Sequence, residues 1–161
     1  MGYTHYWYRK KEIPQDRFDI IYHNFYTAYL KLQGDKKSIL GNGAGEEATL
    51  PEITSQNIIF NGRGDDAHET VYFPRVLTRK DMNSVKPEKG FYLDCTKTAR
   101  KPYDFYVMVF LIIAKFFLQD DIKISSDGSH EPETWQPAID WMVKNFGYGM
   151  DFKRSHHHYW V

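Results

Sequence analysis

The run Cys95-Thr96-Lys97-Thr98-Ala99-Arg100-Lys101-Pro102-Tyr103-Asp104 gathers hydroxyls, cations and a carboxylate immediately before a strongly apolar stretch. If that stretch is a helix, its start leaves backbone N–H groups unpaired and draws anions. Thr96 and Thr98 would offer hydroxyls, and Lys97, Arg100 and Lys101 positive charge. Arg100 is suited to hold a phosphate or carboxylate at two points. These five residues make a chemically sensible cradle for a phosphate or nucleotide. The plainer reading is that Thr98 caps a turn, the cations are solvated and Asp104 answers the helix dipole.

Other clusters could move protons or hold ions. In Asn61 to Thr70, the side chains of Asp66, His68 and Glu69 could supply a general base or ligands for a hard divalent cation. In a strand, however, His68 and Glu69 would point to opposite faces, while His68 and Thr70 share one. That His-x-Thr pair is similar to half of a phosphodiesterase site. A second pair is absent, and the nearest substitutes are Thr4-His5-Tyr6 and the histidines of the tail. Asp127, in Ser125-Ser126-Asp127-Gly128, could orient a base or hold a metal, although such a turn has the same composition for local reasons. The candidate catalytic set is therefore His5, His68 and Asp127. Cys95 has basic neighbours but no evident base, so it reads as a small buried hydrophobe. Gly41, Gly43 and Gly45 form a loop without phosphate chemistry, because Glu46 and Glu47 stand where a Lys and a Ser or Thr are needed. His156 to His158 could bind transition metals adventitiously. No particular cofactor or metal is indicated.

Periodicity marks the elements that would position these groups. Gly2 to Tyr8 alternates and is rich in Tyr, Trp and Thr, as a first strand would be. Pro14 suits the first turn of a helix with the stripe Phe18, Ile21, Phe25, Ala28, Tyr29 and Leu32, closed by Gly34. Asn57 to Asn61 and Glu69 to Phe73 read as hairpin arms. Phe91 to Cys95 and Ile122 to Ser125 read as further strands. A second helix, from Pro102 or Tyr103 to Gln119, is apolar on nearly every side and belongs in the centre. A third starts near Glu133 or Thr134, carries Trp135, Ala138, Ile139, Met142, Val143 and Phe146, and ends at Gly147. Arg75 to Gly90 is polar and irregular. The expected architecture is α+β, a two-layer sandwich of a mainly antiparallel sheet of about five short strands with three helices. One domain would cover residues 1–150, followed by a C-terminal tail over 151–161.

Bulk properties narrow the partners. Lys plus Arg and Asp plus Glu number 21 each, which argues against an extensive nucleic-acid surface. A single cysteine fits a reducing compartment. The longest apolar run, Phe105 to Leu118, is too short for a membrane span, and the chain start has no signal-peptide pattern. A cytoplasmic protein without a membrane partner is expected. Twelve Tyr, eleven Phe and four Trp call for either a hydroxyl-edged core or an aromatic binding patch.

Taken together, Gly2-Tyr3-Thr4-His5-Tyr6-Trp7, Phe60-Asn61-Gly62, His68-Glu69-Thr70, Cys95 to Asp104 and Ser125-Ser126-Asp127-Gly128 resemble a family of small uncharacterised phage and prokaryotic proteins. The resemblance spans most of the chain and implies a viral or mobile-element origin, hence the host cytoplasm. It transfers no catalytic role. The leading expectation is a protein that binds a phosphate-bearing or other anionic small ligand, or a nucleotide, at the Cys95–Asp104 junction. Its catalytic form would be a phosphodiesterase or nuclease, with the five segments converging. The alternative is a non-enzymatic phage-encoded protein that binds a host protein through an aromatic patch.

Overall fold

The computed structural model describes residues 2–34, 40–83, 89–127 and 132–152. Its strands are β1 (Thr4–Arg9), β2 (Glu52–Ile53), β3 (Asn57–Phe60), β4 (Val71–Pro74), β5 (Tyr92–Lys97) and β6 (Ile122–Ser126). Its α-helices are α1 (Gln15–Gly34), α2 (Arg79–Asn83), α3 (Asp104–Leu118) and α4 (Pro132–Phe146). The α+β class and the antiparallel pairing are as expected. The single sheet is not: the strands form two three-stranded sheets, β5-β1-β6 and β2-β3-β4. The helix count differs as well, because the short α2 forms within the stretch read as irregular. Of the tail expected over 151–161, only its first two residues lie among the described ones.

Side-chain period explains the first sheet. Along β1, Tyr3, His5, Trp7 and Arg9 are buried while Thr4, Tyr6 and Tyr8 are half-buried. Residues directly opposite share a face, so His5 points the same way as Thr96 on β5 and Ser126 on β6. The hairpin β3–β4 pairs Ile58 with Phe73 and Phe60 with Val71 toward the core.

A side chain of β1 bridges the two sheets. Arg9 is 2 % exposed and donates to the carbonyls of Lys10, Pro74 and Arg75. Its guanidinium also lies 4.5 Å from the ring centre of Phe73. Further stitches run from Glu69 N–H to Lys97 O and from Ile13 N–H to Arg75 O.

Both inner faces are covered by helices. α3 is buried continuously from Tyr106 to Ala114, in keeping with its lack of a polar face. Phe110 meets Phe25 of α1 and Phe60 and Phe73 of the second sheet, with ring centres 5.0 to 6.3 Å apart. Arg17 fastens α1 to the end of α3, donating to Phe117 O, Leu118 O and Asp121. Among the described residues no helix is long and apolar enough to cross a membrane.

Candidate functional site

Three elements bring polar groups onto the inner face of the first sheet. β1 contributes His5, β6 contributes Ser126, and the start of α3 swings Asp104 over the same face. His5 Nε2 lies 2.7 Å from Asp104 Oδ1, and His5 Nδ1 lies 2.7 Å from Ser126 Oγ. Thr98 Oγ1 donates to the same Asp104 oxygen at 2.5 Å. The rings of Tyr3 and Trp135 stand edge-on to the imidazole, at 5.0 and 5.3 Å. His5 has no exposed surface; Ser126 is 5 % and Asp104 8 % exposed.

Asp104 opens its helix, where the backbone dipole favours a negative charge. A carboxylate only accepts, so both Thr98 and His5 Nε2 must donate to it. The neutral ring then carries its hydrogen on Nε2, and Nδ1 is left to accept the Ser126 proton.

The turn joining β5 to α3 is strained. Ala99 and Arg100 are consecutive non-glycine residues with φ of +52° and +58°. That left-handed region costs an L-residue roughly 1–2 kcal/mol. The turn wraps around one acceptor, Tyr3 O, which receives the N–H groups of Thr98 and Ala99 at 2.9 and 3.2 Å. Arg100 is exposed, and its guanidinium lies 4.2 Å from the ring centre of Tyr3. Lys97 is exposed and lies against Gly2, where an added Cβ would stand 2.5 Å from Lys97 Cε. Lys101 Nζ donates to Asp65 O.

The expected site residues therefore divide between faces. Thr96 and Thr98 are buried, and their hydroxyls are directed inward to Thr70 O and Asp104. Lys97, Arg100 and Lys101 are left as the cations on the rim. His5 and Arg100 are linked through the Tyr3 ring that both touch. His68 is exposed and its Nδ1 meets Lys97 O at 2.8 Å, so it borders the junction without joining His5. Asp127 follows Ser126 but, by alternation, faces the other way; it accepts from Thr4 N–H and the Tyr6 hydroxyl at 3.1 Å each. Asp104, not Asp127, orients His5. Cys95 is exposed rather than buried. Partial burial and the carboxylates of Asp94, Glu69 and Asp127 push its thiol up.

The five sequence segments do meet. Asn61 bonds to both backbone groups of His68. Glu69 accepts Lys97 N–H, and the Tyr103 hydroxyl donates to Glu69 O. His5 then ties the junction to Ser126. Ser126 and Asp104 were the participants hardest to foresee, since they lie 121 and 99 residues from His5.

A separate cavity of about 180 Å³ is lined by Arg9, Tyr72, Asp81, Tyr92 and Asp94, among others. Desolvation there raises the Asp94 carboxyl to about 6, although the Cys95 N–H and the Arg9 charge pull the other way. Among the described residues no group of three or more His, Cys, Asp or Glu side chains is placed to hold a metal ion.

No protein-family model, curated protein or solved structure matches this chain.

Proposed function

We propose that the β5–α3 junction binds a phosphate-bearing or other anionic small ligand, with Arg100 as the gripping residue and Lys97 and Lys101 beside it. The observation that carries this reading is the left-handed backbone at Ala99 and Arg100. A turn needed only to connect two elements would relieve that strain with glycine or asparagine. Strain retained at non-glycine positions is a feature of sites where a side chain must be presented in a fixed direction. Here the side chain presented is a guanidinium, with its charge over the Tyr3 ring. Thr96 and Thr98 support the turn from within and do not reach the ligand.

The interaction-protein alternative has less to rest on. The aromatic surplus goes mainly into the core, and among the described residues Tyr26 and Phe116 are the strongly exposed aromatics, on different helices.

The test is a thermal-shift screen of inorganic phosphate, mononucleotides and dinucleotides, followed by calorimetric titration. Arg100→Ala should weaken binding of any positive ligand by at least tenfold, about 1.4 kcal/mol, while changing the melting temperature of the free protein by no more than about 4 °C. If no anion shifts the wild-type protein, or if Arg100→Ala binds as well, the reading fails.

A further inference from the structure

The buried chain Ser126–His5–Asp104 has a direction that packing does not require. A buried imidazole–carboxylate pair costs more to desolvate than apolar side chains of the same volume, so stability alone does not call for one. Its hydrogen bonds run one way. With Asp104 ionised and the ring neutral, Thr98 and His5 Nε2 both donate to Asp104, and the Nδ1 lone pair faces the Ser126 hydroxyl at 2.7 Å. That is the polarity that turns a hydroxyl into a nucleophile: a carboxylate fixes the tautomer, and the free ring nitrogen takes the proton. Tyr3 and Trp135 lock the ring on two sides. The imidazole is fully covered, and Ser126, at the end of β6, is buried with 5 % of its surface exposed.

We infer that Ser126 is an activated nucleophile, with His5 as its base and Asp104 as the residue that positions the base. The substrate class, a phosphate ester, rests on the anion-binding reading of the Arg100 rim. In the first step Ser126 Oγ bonds to phosphorus, its proton passes to His5 Nδ1, and the ester bond to the leaving alcohol breaks. The alcohol departs with the proton from Nδ1. Water then attacks the phosphoserine, gives a proton to Nδ1, and frees phosphate as the serine recovers that proton. Asp104 stabilises the imidazolium present between these transfers.

A neutral fluorophosphonate probe tests the nucleophile independently of the rim, because it forms the same Oγ–P bond, releases fluoride and carries no charge for Arg100 to hold. Peptide mass analysis of the intact protein should find the adduct on Ser126. Ser126→Ala should abolish it, and Asp104→Asn should slow labelling by at least tenfold through the wrong tautomer. Circular dichroism of both variants checks that they remain folded, and Ser126→Cys, probed with iodoacetamide, reports the same activation if Ser126→Ala does not fold. Phosphate binding by the same wild-type protein is read separately by calorimetry: labelling of Ser126 without phosphate binding sinks only the rim reading, and phosphate binding without labelling sinks only the nucleophile. A folded wild-type protein left unlabelled at Ser126, or an Asp104→Asn variant labelled as fast as wild type, overturns the inference.

Discussion

At the scale of single residues, the decisive feature is a conformation rather than a contact. Ala99 has no side-chain hydrogen bond to justify φ of +52°. Replacing it with glycine removes the steric cost of the left-handed region but adds freedom to the unfolded chain. The net expectation for Ala99→Gly is a gain of about 0.5–1 kcal/mol, read by urea denaturation. The same variant should bind the anion more weakly, since its turn no longer holds the Arg100 guanidinium in one direction. Greater stability with unchanged affinity would detach the strain from function.

At the scale of elements, β5 carries a charge on the wrong face. Alternation turns Asp94 inward with Thr96, and burial raises its carboxyl to about 6 from 3.8. The folded state therefore holds the proton more tightly than the unfolded state. Asp94 is least unfavourable below pH 4; its cost grows as the pH rises to 6 and is complete above that. Asp94→Asn keeps an acceptor for Cys95 N–H and should stabilise the protein at pH 7 to 8 by up to about 3 kcal/mol, with little change at pH 4. Equal melting curves of the two proteins at pH 7.5 would contradict this. The larger elements were legible because their patterns are local. The stripe from Phe18 to Leu32 and the unbroken apolar run after Asp104 set α1 and α3 within a residue or two of their observed bounds. β2 has two residues and α2 five, too few for any period to emerge. Even so, α2 has a readable start, since Thr78 and Asp81 cap each other's N–H groups at 3.2 and 2.8 Å. At the candidate site, composition pointed to Cys95–Asp104, and alternation alone separates Thr96 from Lys97. The coupling of His5 to Ser126 and Asp104 left no local trace, because pattern reports which face a residue uses and not which distant residue will share it.

At the scale of the whole molecule, Arg9 is the joint between two sheets. Its burial lowers the guanidinium to about 10, so it remains a cation at neutral pH, bonded to the Pro74 and Arg75 carbonyls and favoured by the charges of Asp94 and Asp81. Arg9→Ala would take a buried donor from the Pro74 carbonyl of β4 and remove the guanidinium from the Phe73 ring, and should cost about 3 kcal/mol or more. Arg9→Lys should rescue little, because one ammonium cannot reproduce the planar fork. Chemical denaturation measures both, and a loss below about 1 kcal/mol for Arg9→Ala would assign the joint to the aromatic core instead.

The pairing of β1 also has a consequence in time. Thr4 waits for Lys97, and His5 for Ser126. At roughly 5–20 residues per second of synthesis, the first strand spends several seconds without either neighbour. During that interval a row of Tyr and Trp side chains with two open edges is exposed to every other nascent chain. The strand that holds the imidazole is thus the part of the protein most in need of shelter on the ribosome.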